Sequence, residues 1–229
     1  MPTHLVRAAV SKVPGLGGWS DDPLWASFYD WTVEHPRAGG AIWRVGIQSD
    51  LRLLYRAAAE IGRQPAGARI LDIPCGGGVA LRGLKPGQGV EYVAADIAQA
   101  MLDRTMEAAQ ERGVADQVEP RIADVGDLPF ADASFDLVVT FTGLHCFPDP
   151  ARAVIEMARV LRPGGVLTGS ALLNDSVRYA PLRKAGRVAG LLGPGCTSDD
   201  LEGWLAGQGI ADVVIEKSGA IGYFRGVKR

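Results

Sequence analysis

The chain has 229 residues and a net charge of −2, with 24 Lys and Arg against 26 Asp and Glu. That length holds one large α/β domain or two small ones with a real core, and the charge balance offers no footprint for a nucleic-acid backbone. Cys75, Cys146 and Cys196 are too few for a disulfide framework and too far apart for zinc ligation, and no apolar leader or membrane-length run is present, so a soluble cytoplasmic protein without a membrane partner is expected.

Residues 1–66 read as a helical N-terminal extension on the same domain as residues 67–229. The stretch "DDPLWASFYDWTVEH" is aromatic-rich and contains Tyr29 and Asp30, with Trp19, Trp25, Phe28 and Trp31 in or near it. "GIQSDLRLLYRAAAEIG" (46–62) is amphipathic, with Leu51, Leu54, Tyr55 and Ala58 on one side of a helix. Such an extension either packs on a sheet or forms a lid over its carboxyl end, where open α/β sheets bind ligands. If it is a lid, Tyr29 and Asp30 reach the cofactor or acceptor.

From Arg69 onward short apolar runs alternate with helical patterns, the mark of βαβ units and a parallel sheet. "RILDI" (69–73) is the first strand and runs into Gly76–Gly78, after which an apolar segment reads as a helix. "VEYVAAD" (90–96) is the second strand. A helix over about 98–112 follows, with Met101, Leu102, Thr105, Met106 and Ala109 at helical spacing and Gly113 at its end. In the third strand, "QVEPRIAD" (117–124), Pro120 cannot donate to a ladder, which suggests an edge position or a late start. "SFDLVVTF" (134–141) is apolar enough to be covered on both faces. Asp149 and Pro150 open the helix "ARAVIEMARVLR", stopped by Pro163, and "GVLTGSALL" is the fifth strand. Thr197 and Asp200 resemble a capping box for "DDLEGWLAGQG". "ADVVIEK" (211–217) and "AIGYFRG" (220–226), separated by Ser218-Gly219, form a terminal hairpin. The basic patches "RKAGR" (183–187) and "VKR" (227–229) read as solvated surface.

The glycine turn alone admits several ligands. A triphosphate loop needs a lysine just after its glycines, and none occurs until Lys85. A dinucleotide fingerprint needs a third glycine, where this chain has Leu81. Asp96 ends the second strand, where a carboxylate grips a ribose diol, but that suits any adenosine ligand.

Taken in order, "LDIPCGGG", Asp96 with Met101 five residues on, "DVGDLPF", "FDLVV", "LH" and "ARVLRPGG" resemble the class I S-adenosylmethionine-dependent methyltransferases, in the small-molecule branch that includes the quinone-ring C-methyltransferases. The resemblance covers about residues 69–170 and departs from the family at Pro74, which replaces the usual glycine. Pro74 has no N–H, so the turn requires that this position donate nothing to the ligand. The family implies a seven-stranded, doubly wound Rossmann-like sheet of order 3-2-1-4-5-7-6, the chain's last strand antiparallel. It also implies S-adenosyl-L-methionine as cofactor, S-adenosyl-L-homocysteine as product, and methyl transfer to a small apolar or aromatic molecule. By resemblance, Asp96 holds the ribose, while Asp124 with Val125 holds the adenine. Cys75, Gly76 and Gly78 line the methionine tail by backbone, beside a favourable helix N-terminus. Ile97 and Met101 cover the adenosine faces, and Phe141 lies near the sulfonium. Asp72 either fixes the turn or accepts from the ligand's ammonium. His145 follows the fourth strand and is read either as a general base, which its ordinary pKa suits, or as a loop-shaping residue. No metal is expected, because His4, His35 and His145 have no ligand spacing. The other classes kept open are a non-catalytic adenosyl-binding scaffold and, with less support, a nicotinamide-dependent oxidoreductase, which lacks its third glycine and a Tyr–Lys pair.

Overall fold

A computed structural model describes residues 31–229. The strands are β1 (Arg69–Asp72), β2 (Glu91–Asp96), β3 (Val118–Ile122), β4 (Phe135–Phe141), β5 (Leu161–Leu172), β6 (Ile210–Ser218) and β7 (Ile221–Lys228). They form one sheet of order β3-β2-β1-β4-β5-β7-β6. β1 to β5 are parallel, whereas β7 runs antiparallel to both β5 and β6. The helices are α1 (Pro36–Gly46), α2 (Leu51–Ala58), α3 (Gln99–Glu111), α4 (Pro150–Val160), α5 (Ala180–Val188) and α6 (Ser198–Gly207).

Strand alternation sends successive side chains to opposite faces. In β4, Leu137, Val139 and Phe141 enter one core with Leu54 and Ala58 of α2 and Leu102 and Ala109 of α3. Val138 enters the other core, with Met157 of α4 and Leu201 and Leu205 of α6. All of β4 is buried, as its unbroken apolar run requires. Pro120 sits in β3, the edge strand, where only one side needs ladder donors.

Several local expectations hold in atomic detail. The Asp149 side chain accepts from Arg152 N at 2.9 Å, and Pro150 opens α4. Thr197 and Asp200 form the reciprocal capping box of α6.

Other expectations are corrected. No α-helix follows the glycine turn. Val79–Gly83 is a 3-10 helix instead, because Pro86 drives Lys85 out of helical conformation and leaves too few residues for two α-turns. The 46–62 helix shortens to α2, which starts where Asp50 caps Arg52 N at 3.0 Å. α4 ends at Val160, and Leu161 already pairs with Phe135. Pro163 forces the residue before it into extended backbone, so the helix cannot reach Arg162. The terminal turn is Gly219-Ala220, with Gly219 at φ +58°. α1 falls within the expected helical extension, whereas α5 has no counterpart among the sequence expectations.

The described part of the extension is docked on the sheet. Val33, Trp43, Leu51, Leu54 and Ile61 share one buried cluster with Ile70 and Tyr92. Ala220 N donates to Ile47 O at 2.9 Å, and Arg82 ties the preceding segment down through Val33 O and Glu34. α2 approaches the 3-10 helix so closely that a Cβ on Gly83 would lie 1.9 Å from Ala58 O. Gly203 in α6 instead faces open space. Gly83→Ala is therefore expected to lower unfolding free energy by about 1–3 kcal/mol, and Gly203→Ala to raise it by about 0.5–1 kcal/mol. Urea unfolding of the two variants reads both signs.

Candidate active site

The carboxyl ends of β1, β2 and β4 converge on the glycine turn. Ile73 N donates to Val139 O at 3.0 Å and Cys75 N to Ala95 O at 2.9 Å, so the residues flanking Pro74 close the ladder. The Ile73–Pro74 bond is cis. Pro74 packs on Gly143 after β4, where a Cβ would lie 2.3 Å from Pro74 Cδ. The turn thus accommodates its unusual proline through a residue without a side chain.

Gly76 and Gly78 take φ values of +52° and +81°, a region that L side chains enter only at a cost. Among the described residues, no atom beyond the chain neighbours lies within 4 Å of where a Cβ of Gly76 would be, while Gly78 is pressed against Thr105 and Ala108 of α3. One glycine leaves the backbone approachable and the other lets the helix come close. Internal partners hold both polar groups of Gly76. Its N–H donates to Asp96 Oδ2 at 3.1 Å, and its carbonyl accepts from Thr105 Oγ1 at 2.7 Å. Asp96 also accepts from Ala98 N at 3.0 Å, at the start of α3. Thr105 Oγ1 additionally lies 3.3 Å from Cys75 Sγ.

Asp72 is 1% exposed and accepts one hydrogen bond, from the Tyr92 hydroxyl at 2.7 Å. Burial lifts its carboxyl to about 8; the Tyr92 hydrogen bond opposes the rise and the charge of Asp96 adds to it. Burial also raises Asp96, against the backbone hydrogen bonds from Ala98 and Gly76. Burial is likewise the first cause that raises the Cys75 and Cys146 thiols, and Asp96 contributes to both. No cation among the described residues acts on either carboxylate. A phosphate at this turn would meet like charge, whereas a cationic group would meet its complement.

The other expected residues are placed as follows. Ile97 is 67% exposed beside Asp96, while Met101 is buried against Ala98. Asp124 is exposed, and its Oδ1 accepts from Gly126 N at 2.8 Å in a local turn. It lies next to Asp96 through the Ala123 N to Asp96 O bond of 3.0 Å. The Val125 side chain belongs to the core under α4, and Phe141 to the opposite core. His145 Nδ1 accepts from Leu172 N at 3.1 Å, and its carbonyl accepts from Gly193 N at 2.8 Å. Because a backbone N–H can only donate, Nδ1 carries the lone pair and the neutral ring carries its proton on Nε2. Burial pulls the His145 pKa down to about 4. Tyr29, Asp30 and the aromatic residues before them lie outside the described residues. Trp31 stacks on His35 with centroids 4.6 Å apart. Cys75 and Cys146 are both free, each with its own oxygen partner, Gly76 O and Thr142 O respectively. Among the described residues no group of His, Cys, Asp or Glu is placed to hold a metal.

Two residues went unread as site residues. Thr105 occupied an apolar position of a predicted helix, and a hydroxyl there was the available signal. Thr142, just past β4, has φ +56°, a strained conformation for a β-branched residue; nothing in the sequence announces it.

The sheet order, the antiparallel last strand and the glycine turn between buried acids define a Rossmann-like domain of the methyltransferase type. Residues 71–168 match the family model described as a methyltransferase domain. The chain is 37% identical over 163 residues to the demethylmenaquinone methyltransferase of Clavibacter sepedonicus, covering 70% of this chain and 60% of that one. It is 38% identical over 120 residues to the 27-O-demethylrifamycin SV methyltransferase of Amycolatopsis mediterranei, covering 52% and 44%. The YcgJ protein of Bacillus subtilis shares the fold with a TM-score of 0.64 at 19% identity, over 78% of this chain and 99% of that one. The matched stretch of the chain is thus similar to a methyltransferase domain, and named relatives of that stretch are methyltransferases. It spans 36–60% of the length of the first curated relatives it matches.

The buried acid has a measurable signature. Asp72 holds its proton up to about 8 in the native state and to 3.8 in its ordinary state. Between those values the native state binds the extra proton, so this group's contribution to stability falls as pH rises. Asp72→Asn, which keeps an acceptor for Tyr92, is expected to gain on wild type by up to roughly 1 kcal/mol per pH unit across that window. Denaturation midpoints at several pH values check the slope.

Proposed function

We propose that the protein transfers a methyl group from S-adenosylmethionine to a small apolar or aromatic acceptor. The observation that carries this reading is the open Gly76 backbone bordered by Asp72 and Asp96, two buried carboxylates without a cation among the described residues. Such a cradle suits a ligand with a cationic amino-acid tail. Asp96 would hold the ribose, with Asp124 and Val125 at the adenine and the exposed Ile97 face over the adenosine. Met101 would support that face from below. Cys75 to Gly78 would line the tail by backbone, and Phe141 would bound the pocket at the end of β4. The 3-10 helix after the turn is too short to supply the helix N-terminus expected for the tail's carboxylate. Bound S-adenosylmethionine supplies the electrophilic methyl group. The chain's part is to align the acceptor and exclude water, and positioning of this kind lowers barriers by roughly 7–11 kcal/mol.

The acceptor class rests on relatives whose names specify demethylmenaquinone and a demethylrifamycin. The acceptor side would be built from the end of β5, the 173–196 segment and the N-terminal extension, which we take with the sheet as one unit because they share a core. His145 is assigned to pinning the β4 loop to β5 and to Gly193, since its Nδ1 lone pair is already engaged by Leu172 N. The unpaired cysteines suit a reducing, cytoplasmic setting.

Calorimetric titration with S-adenosylhomocysteine tests the cofactor half. Wild type is expected to bind, and Asp96→Ala to weaken binding by about tenfold to a hundredfold, the scale of one or two charged hydrogen bonds. Preferred binding of a reduced nicotinamide would sink the reading. A screen of phenols, quinones and amines for S-adenosylhomocysteine release tests the acceptor half and separates enzyme from scaffold. His145→Asn, whose amide oxygen can replace Nδ1, is expected to retain most of that turnover. His145→Ala should instead lower the melting temperature. Loss of turnover in a well-folded Asn variant would return His145 to the role of base.

A further inference from the structure

α5 is mounted with its apolar side outward. Val177, Leu182 and Val188 are 85%, 49% and 53% exposed, whereas Arg183 is 8% exposed. Pro181, Lys184, Ala185, Val188 and Ala189 line one open, shallow depression on the outer face. The inner face is polar. Arg183 donates to Leu173 O, Asn174 O and Ser176 O, and Arg187 to Gly193 O and Pro194 O. These carbonyls belong to the loops around the end of β5, so the helix stands at the edge of the sheet that carries the candidate site.

The charges on this segment also stand apart. Residues 176–198 contain Arg178, Arg183, Lys184 and Arg187 and no Asp or Glu. Flanking Asp175 is engaged by Ser198 and Lys217. Many arginines elsewhere have carboxylate partners, such as Arg52 with Asp50, Arg69 with Glu91 and Arg159 with Asp132. None of the four cations of this segment has a carboxylate partner among the described residues; Arg178 faces the Gln48 amide. A short helix with an outward apolar face and uncompensated positive charge is complementary to an anionic bilayer surface.

We propose that α5 is a docking surface for an anionic lipid bilayer, its apolar face entering the headgroup region and Lys184 on the outer depression meeting lipid phosphates, with the inward Arg183 and Arg187 adding positive potential behind it. This reverses the expectation of no membrane partner and of solvated surface at 183–187. It goes beyond methyl transfer, and its test uses no catalysis.

The experiment is flotation of the full chain with vesicles of phosphatidylcholine alone or containing about 30% phosphatidylglycerol. Wild type is expected to float with the anionic vesicles only, and to be released as salt rises from about 0.05 to about 0.5 M. Leu182→Asp and Val188→Asp, both at exposed positions, are expected to lose vesicle binding with unchanged melting temperatures. Lys184→Glu, a surface change on the rim of the depression, should weaken it by about tenfold and serves if either aspartate variant fails to fold. Wild type that stays with neither vesicle, or aspartate variants that float like wild type, would overturn the proposal. So would self-association without vesicles that Val188→Asp abolishes, because the face would then belong to a second copy.

Discussion

The site hangs on the carboxylate of Asp96 and the two backbone N–H groups it holds, Gly76 after β1 and Ala98 before α3. These bonds join the loops of two adjacent strands, so the glycine turn and the start of α3 are set as one piece. Thr105 adds the opposite tie, from α3 back to the Gly76 carbonyl. A turn with Gly76 and Gly78 in left-handed conformation would otherwise be among the softer parts of the chain. Here the N–H and the carbonyl of the residue that faces open space are both fixed before any ligand arrives. Preorganisation of this kind spares a ligand the ordering cost of the loop.

The same arrangement places two ionisable acids side by side. Asp72 and Asp96 are both buried, burial raises both, and the charge of Asp96 adds to the cost of ionising Asp72. A fold that needed only rigidity could have used a neutral amide in place of Asp72. An acid under the turn can give up its proton when a cation lies above it, as the proposed amino-acid tail would, whereas a pyrophosphate would gain nothing from it. The glycine pattern sets where backbone can be approached; the acids set the sign of what approaches.

Much of the fold was legible in the residues because local chemistry and tertiary burial agreed there. β4 is an unbroken apolar run and is buried throughout; Asp149-Pro150 and Thr197–Asp200 satisfy helix-end donors within a few residues of themselves. Pro120 marked the edge strand by the donor it lacks. Two of the misread elements have nearby prolines that signal a stop without fixing the residue at which it falls. α4 stops short because of a proline three residues past its end, and the segment after the glycine turn never becomes an α-helix because Pro86 truncates it. α5 was invisible because periodicity assumes apolar residues face inward, and here the inward face is an arginine satisfied by carbonyls. The site divided the same way. Asp96 and Gly76 announce themselves by position at strand ends. The engagement of His145 Nδ1 depends on the end of β5, twenty-seven residues away, and no local pattern carries it.

The two halves of the carboxyl edge are therefore built on different principles. Around β1 and β2, buried acids and backbone donors make a rigid, charge-selective cradle whose parts are all close in sequence to the strands that present them. Around β5, the backbone carbonyls of 173–176 and 193–194 are gathered by arginines of a helix whose apolar side is left outward. Arginine suits this task, since one planar fork collects several carbonyls and keeps its charge at any physiological pH. The consequence is a segment that is well anchored but electrostatically uncompensated. A fixed positive charge next to an apolar face gives this edge of the sheet an electrostatic sense opposite to that of the proposed cradle. On the two proposals, the cradle would take a cation and the rim an apolar surface bearing anions.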